Sequence, residues 1–215
     1  MKVIAGLGNP GLEYYATRHN AGFRVLEMIG SATGSHFQNK RGLFSDVAKA
    51  GLEGQDALLV KPMTYMNRSG QAVLAVLQWY KIAPDQLLIV HDDVSLPLGK
   101  IRFQNAGGAG GQHGMESIIE SFGGNKNFDR LKIGVGPDPG GDVRADYLLK
   151  PVKPDERELF EKCLTLATEG VSFWVRNGVV EAMNKYNGMD LRPPPPKPPP
   201  EPVPAPPVEP ANDPP

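Results

Sequence analysis

The chain has 215 residues, of which 40% are apolar and 22% charged, and its formal net charge is −1. That length suits one domain with a sizeable core. The near-neutral balance excludes nucleic-acid binding driven by a whole-molecule positive field, and no run of about 18 apolar residues is present to form a membrane-spanning helix. Cys163 is the single cysteine, so neither an internal disulfide nor a cysteine metal cluster can form. The apolar stretch after Met1-Lys2 has neither the length nor the cleavage pattern of a signal peptide, which makes a cytoplasmic location the expectation. Residues 2–7 (KVIAGL) end at Gly-Leu-Gly and predict a buried first strand. Residues 21–29 place Phe23, Leu26 and Ile29 at helical spacing, with Gly30 behind them. Residues 43–49 and 56–61 read as the strands of a hairpin around Gly51-Leu52-Glu53-Gly54. A helix is predicted over 69–81, capped by Ser69, with Val73, Leu74, Val76, Leu77 and Tyr80 as its stripe. Residues 86–90 form a nearly continuous apolar strand, 100–104 alternate like a strand, and 113–122 predict a short helix stopped by Gly123-Gly124. A further strand is predicted over 130–136, a long amphipathic helix over 154–176, and a last short helix over 179–186. Cys163 falls in the long helix and is expected as a buried, inert thiol.

This alternation predicts a single-domain α/β fold over residues 1–190: a three-layer sandwich with a mixed, mostly parallel twisted sheet flanked by helices. Residues 191–215 have a different character. From Pro193 onward they hold 14 of the 22 prolines, which excludes helix and sheet and predicts an extended, solvated tail. Its partner, if it has one, is unknown.

Several polar segments carry chemistry. Gly6-Leu7-Gly8-Asn9-Pro10-Gly11 matches G-x-G-x-x-G after a strand, the dinucleotide-binding pattern. The residues after Gly11 have no clean helical period, and no second strand ends in an acid at the required distance, so a nicotinamide cofactor is not expected. His19, flanked by Arg18 and Asn20, has an imidazole that can serve as a neutral base near pH 7. Asp92 ends an apolar strand, where α/β sheets present ligand-binding groups. A carboxylate there can fix the tautomer of a histidine and free its other nitrogen to take a proton. His91 and Asp93 alternate to the opposite face, which disfavours a metal site from the three, and none is expected. Asn9 and Asn67 offer neutral amides suited to a peptide bond, or serve only as turn residues. The run 105–111 is rich in glycine, and Lys100, Arg102, Lys126, Arg130 and Lys132 lie around it; they read either as an anion grip or as solvated charges. Residues 137–144 read as a polar loop able to act as a lid. No G-x-S-x-G elbow occurs, which favours direct attack by water over an acyl-enzyme.

The segments GLGNPG and YYATRHNAG, KPMTYMNRSG at 61–70, LLIVHDDVSLPLGKIR at 87–102, GGAGGQHGMESI at 107–118, RLKIGVGPDPG at 130–140 and ADYLLKP at 145–151 stand in one order. Together they resemble the bacterial peptidyl-tRNA hydrolase family over essentially residues 1–190. The resemblance implies a cofactor-free, monomeric esterase. It would release tRNA and peptide from peptidyl-tRNA left by stalled or aborted translation, gripping the acceptor arm and the nascent peptide. It puts His19 as the base that activates water, Asp92 as its orienting carboxylate, and Asn9 beside the ester, where it distinguishes blocked from free aminoacyl-tRNA. It places Tyr65, Met66 and Asn67 in a substrate-binding segment and Tyr14 near the tRNA 3′ end, for base stacking unless it packs in the core. His113 stands where the family usually has asparagine, so its contact with substrate is expected from a side chain that also titrates. Two other classes remain: a non-catalytic RNA-binding relative, and a nicotinamide-dependent oxidoreductase on the first glycine loop.

Overall fold

The computed structural model describes residues 1–141 and 143–194. Seven strands make one sheet: β1 (Lys2–Gly6), β2 (Gln38–Lys40), β3 (Ser45–Leu52), β4 (Gln55–Pro62), β5 (Leu87–Pro97), β6 (Ile101–Asn105) and β7 (Asp129–Gly136). Their order is β2-β3-β4-β1-β5-β7-β6. The central four, β4, β1, β5 and β7, are mutually parallel, while β2–β3, β3–β4 and β6–β7 pair antiparallel. Among the described residues five helices flank the sheet: α1 (Ala21–Thr33), α2 (Ser69–Tyr80), α3 (His113–Ser121), α4 (Val143–Leu149) and α5 (Pro154–Tyr186). This is the mixed-sheet α/β sandwich that the alternation predicts, with parallel and antiparallel pairings three each rather than mostly parallel. None of the described helices is long and apolar enough to cross a membrane.

The continuous apolar runs of the central strands have a direct cause: both faces of the sheet are covered. Along β5, Leu88 and Val90 join the core beneath α1 and α5, whereas Leu87 and Ile89 join the core beneath α2 and α3. On β1, Ile4 joins the first core while Val3 and Ala5 join the second. Cys163 lies wholly buried in the first, where burial pushes its thiol up to about 11, as an inert thiol requires.

The glycines around the first loop serve packing. A Cβ at Gly22, in the first turn of α1, would lie 2.3 Å from Val90 O and 2.4 Å from Leu7 N. A Cβ at Gly6 would lie 2.4 Å from Gly22 O. Helix and strand backbones therefore touch directly, at the end of the sheet where the parallel strands finish. Two 3-10 turns, Leu12–Tyr14 and Arg18–Asn20, separate β1 from α1. The loop thus does not open a helix as a dinucleotide fold demands. Gly22→Ala is expected to lower stability by about 1–3 kcal/mol, as backbone must yield to the methyl group; urea unfolding followed by circular dichroism measures this.

Several local expectations need correction. Ser69 does not cap α2: the N-cap is Arg68, and Ser69 Oγ is buried without a partner. The hairpin turn is only Glu53-Gly54, both at positive φ (49° and 74°), a two-residue geometry that lets the strands run longer. β5 continues past Asp92 to Pro97, with its register shifting between Asp93 and Pro97. The 137–144 stretch is only partly loop, since α4 begins at Val143. The two last predicted helices form one element broken at Gly178, whose φ of 80° is not helical. Beyond α5, Leu191 N donates to Gly99 O at 2.9 Å, and Met189 and Leu191 pack on the core. The proline-rich tail expected beyond lies, from residue 195 on, outside the described residues.

Candidate active site

His19 sits in the turn Arg18–Asn20, and its two neighbours lock that turn from opposite sides. Arg18 is buried, donates to Pro151 O at 3.2 Å, pairs with Glu156 and stacks on Tyr147 at 4.2 Å. Asn20 bonds reciprocally with the Asn9 backbone: its Oδ1 accepts from Asn9 N at 2.8 Å and its Nδ2 donates to Asn9 O at 3.0 Å. The segment around Pro151 thereby reaches the histidine loop through Thr17 and Arg18. Holding an imidazole this way removes the rotational freedom that a working site must suppress.

Asp92 comes up from β5 on the face shared with α1. Its Oδ2 lies 2.8 Å from His19 Nδ1, and the carboxylate is 1% exposed. An ionised carboxylate only accepts hydrogen bonds, so Nδ1 carries the proton and Nε2 is left with its lone pair. The second oxygen, Oδ1, accepts from Gln112 Nε2 at 3.1 Å. Burial alone would push the carboxyl up, but the charge and hydrogen bond of His19, with the Gln112 donor, hold it below its usual range. Burial likewise works against a charged His19, and the charge and hydrogen bond of Asp92 outweigh it, raising the imidazole above its ordinary value.

Asn9 is fixed just as closely. Its Oδ1 accepts from Met66 N at 2.9 Å, so its Nδ2 must be the other arm of the amide. Among the described residues nothing accepts from that Nδ2, which leaves a donor beside His19. A cleft of about 630 Å³ collects Asn9, Tyr14, His19, Tyr65, Met66, Asn67, Gln112 and His113. Asn9, Tyr14, Tyr65, Met66, Asn67 and His113 all line this one cleft with His19, and Asp92 lies behind His19. Tyr14 is half-buried in its wall, whereas Tyr65, Asn67 and His113 are exposed. Arg144, Leu148 and Leu149 close the far side from α4; Gly141 and Arg144 are the described residues of the 137–144 stretch that line the cleft. Chemically, the cleft joins a base held in one tautomer to neutral amide donors, the set needed to activate water against a carbonyl.

Gln112 escaped the sequence. It is the N-cap of α3, with Oε1 accepting from Met115 N at 2.8 Å, and it simultaneously orients Asp92. Its only signal was its position just ahead of a helix start. Asp93 pairs with Lys132 at 3.0 Å, and His91 Nδ1 lies 2.7 Å from Asp92 O. Three of the five cations around the glycine run are already engaged. Arg130 is fully buried and its guanidinium donates to Gly107 O and Gly108 O, fixing the glycine run from below. Lys132 is taken by Asp93, and Lys100 pairs with Asp190 at 3.4 Å.

A family model described as peptidyl-tRNA hydrolase matches residues 3–194. A peptidyl-tRNA hydrolase of Chloroflexus aggregans is 45% identical over 188 residues, covering 87% of this chain and 99% of that protein. One of Brevibacillus brevis is 42% identical over 192 residues, covering 88% and 99%. Among solved structures, the crystal structure of peptidyl-tRNA hydrolase from Acinetobacter baumannii superimposes with a TM-score of 0.84 at 36% identity, covering 89% of this chain and 97% of that one.

Proposed function

The chain belongs to the peptidyl-tRNA hydrolase family, and from that premise we propose that it hydrolyses the ester joining a peptide to the terminal ribose of tRNA, with His19 as base and Asp92 as its orienting partner. The observation that carries this reading is the buried His19–Asp92 pair at 2.8 Å, which leaves Nε2 toward the cleft. Nε2 takes a proton from water as the oxygen attacks the ester carbonyl carbon. The carbon–oxygen bond to the ribose then breaks, and the proton passes from the imidazolium to the leaving ribose oxygen. The tRNA departs with a free hydroxyl and the peptide as a carboxylic acid, which gives up its remaining proton to solvent. Asn9 Nδ2 donates to a carbonyl of the substrate, and the Asn67 amide serves the oxyanion. Tyr14, Tyr65, Met66 and His113 hold the nucleotide and peptide on either side of the ester. In the cell this recycles tRNA from stalled or aborted translation, which places the enzyme in the cytoplasm. The catalytic unit is residues 1–190, working as a monomer with the proline-rich tail appended.

The deciding experiment offers the purified protein N-acetyl-aminoacyl-tRNA and free aminoacyl-tRNA side by side. A free α-ammonium is itself a donor and lacks the second carbonyl, so it offers Asn9 nothing to pair with. Rapid release of tRNA from the blocked substrate alone supports the reading. Tight tRNA binding without release would instead make the chain a non-catalytic RNA-binding relative.

Gln112 gives a separable test of positioning. Gln112→Glu keeps an acceptor for Met115 N, and hence the helix cap, but sets a second carboxylate against Asp92. It is expected to lower kcat at least about ten-fold, the value of one lost charge-assisted hydrogen bond, and to lower the melting temperature at about pH 7 through repulsion of the two buried carboxylates, the melting temperature recovering as pH falls and the new carboxyl takes a proton. Gln112→Ala is expected to lose stability as well, by about 1 kcal/mol, through the missing cap.

A further inference from the structure

We propose that the groove at Trp79 and Tyr80 is the docking site of this chain's own proline-rich C-terminal segment, residues 195–215. The chain has two tryptophans. Trp174 is fully buried and donates to Asp129 at 2.7 Å, whereas Trp79 is 71% exposed. A groove of about 660 Å³ separates Trp79 and Tyr80, at the end of α2, from Lys40 at the end of β2 and Arg41 and Leu43 in the turn that follows it. Lys40 and Arg41 are both exposed. Among the described residues neither forms an ion pair, and Lys40 Nζ meets only Gln38 Oε1, at 3.1 Å.

An exposed indole beside a tyrosine is the surface that reads polyproline II, because proline rings seat between flat aromatic faces at little entropic cost. The chain supplies such a ligand. Residues 195–215 read PPKPPPEPVPAPPVEPANDPP, with Lys197 opposed by Glu201, Glu209 and Asp213. The segment is net acidic and the groove is cationic, so charge selects the same pairing that shape does.

Reach agrees as well. The described chain ends just beyond Leu191, which is bonded to Gly99 near the start of β6 at one edge of the sheet. The groove lies at the opposite edge and in the opposite layer, since Leu191 packs beneath α5 and Leu43 and Tyr80 beneath α2; six strand spacings of about 4.8 Å and two layers of about 10 Å make roughly 35 Å over the strand ends. Both lie at the end where the parallel strands finish. At about 3.1 Å per residue in polyproline II, the stretch from Val203 to Val208 falls about 28–43 Å beyond Pro194. The proline–valine run between Glu201 and Glu209 therefore arrives at the aromatic pair with an acid on each side. This rests on nothing in the catalytic reading and can fail without it.

Acrylamide quenching of tryptophan fluorescence tests the proposal, since Trp174 is already shielded. The full chain is expected to show Trp79 quenched about three-fold less than in a chain ending at Pro194, with protection restored by a synthetic 195–215 peptide. Trp79→Phe removes the difference. Lys40→Glu with Arg41→Glu in the full chain is expected to expose Trp79 as fully as truncation does, and this arm stands if the shortened chain fails to fold. Equal quenching of the full and shortened chains would overturn the proposal. So would protection by tRNA but not by the peptide, which would make the groove an RNA surface. Protection that rises with protein concentration would assign it to the tail of a second copy and overturn docking within one chain.

Discussion

Replacing His19 with alanine is expected to lower kcat/KM on N-acetyl-aminoacyl-tRNA by about 10²–10⁴, the contribution of one positioned base. Nothing else in the cleft can take over. Asp92 is 1% exposed and pinned by His19 and Gln112, so it does not reach substrate. His91 is buried, and its Nδ1 is 2.7 Å from the Asp92 carbonyl oxygen. His113 stands exposed at the start of α3, away from the Asp92 carboxylate that would fix its tautomer. Alanine also strands the Asp92 charge, so a loss of rate could be confused with a loss of structure. His19→Asn keeps a side-chain N–H for Asp92 Oδ2 while removing the basic nitrogen. Both variants are expected to lose the same two to four decades, with His19→Asn keeping the native melting temperature. Single-turnover release of tRNA, with tRNA binding measured beside it, separates the outcomes.

Asp92→Asn carries the second large effect and a different signature. An amide can present its NH₂ to His19 Nδ1, which forces the proton onto Nε2 and removes the lone pair that water needs. A loss on the order of 10²–10⁴ in kcat results from the wrong tautomer and from the lost partner for the imidazolium. The pH dependence fixes the sign. In the native pair, burial pushes the His19 pKa down, and the charge and hydrogen bond of Asp92 more than reverse that. The base form is therefore reached above the ordinary histidine value of about 6.5. Without the carboxylate only burial remains, so the acid limb of kcat/KM is expected to move to lower pH even as the plateau falls. Because the two residues act as one unit, the double variant should be no slower than His19→Ala alone.

The parts of this molecule legible in the sequence are those set by local periodicity. β1 and β5 announce themselves because both their faces are buried, so their apolar runs have no gap. β2 had no such signal: Gln38, Asn39 and Lys40 are all exposed, and only pairing with β3 makes them a strand. α4 was hidden by its seven-residue length and by the proline and glycine ahead of it. Ser69 looked like a cap from its residue type, but its hydroxyl is buried without a partner. At the site, Asn9, Tyr14, Tyr65, Met66, Asn67 and His113 lie in the same cleft as His19. The support behind that cleft was not readable. Arg130 looked like a surface cation because a one-dimensional string does not show that both faces of β7 are covered. Gln112 looked like one more polar residue in a glycine run, although it joins the α3 N-terminus to the Asp92 carboxylate.

Catalysis here depends on His19 being the titrating base and Asp92 setting its pKa. Both are read at once by recording the ring resonances of the four histidines by NMR across pH, in the native protein and in Asp92→Asn, beside the pH profile of kcat/KM. The expected result is a native His19 titrating above about 6.5 at the same pH as the kinetic acid limb, with both moving down together in the variant. An acid limb that instead tracks His113, or that stays in place when Asp92 is replaced, would contradict both roles.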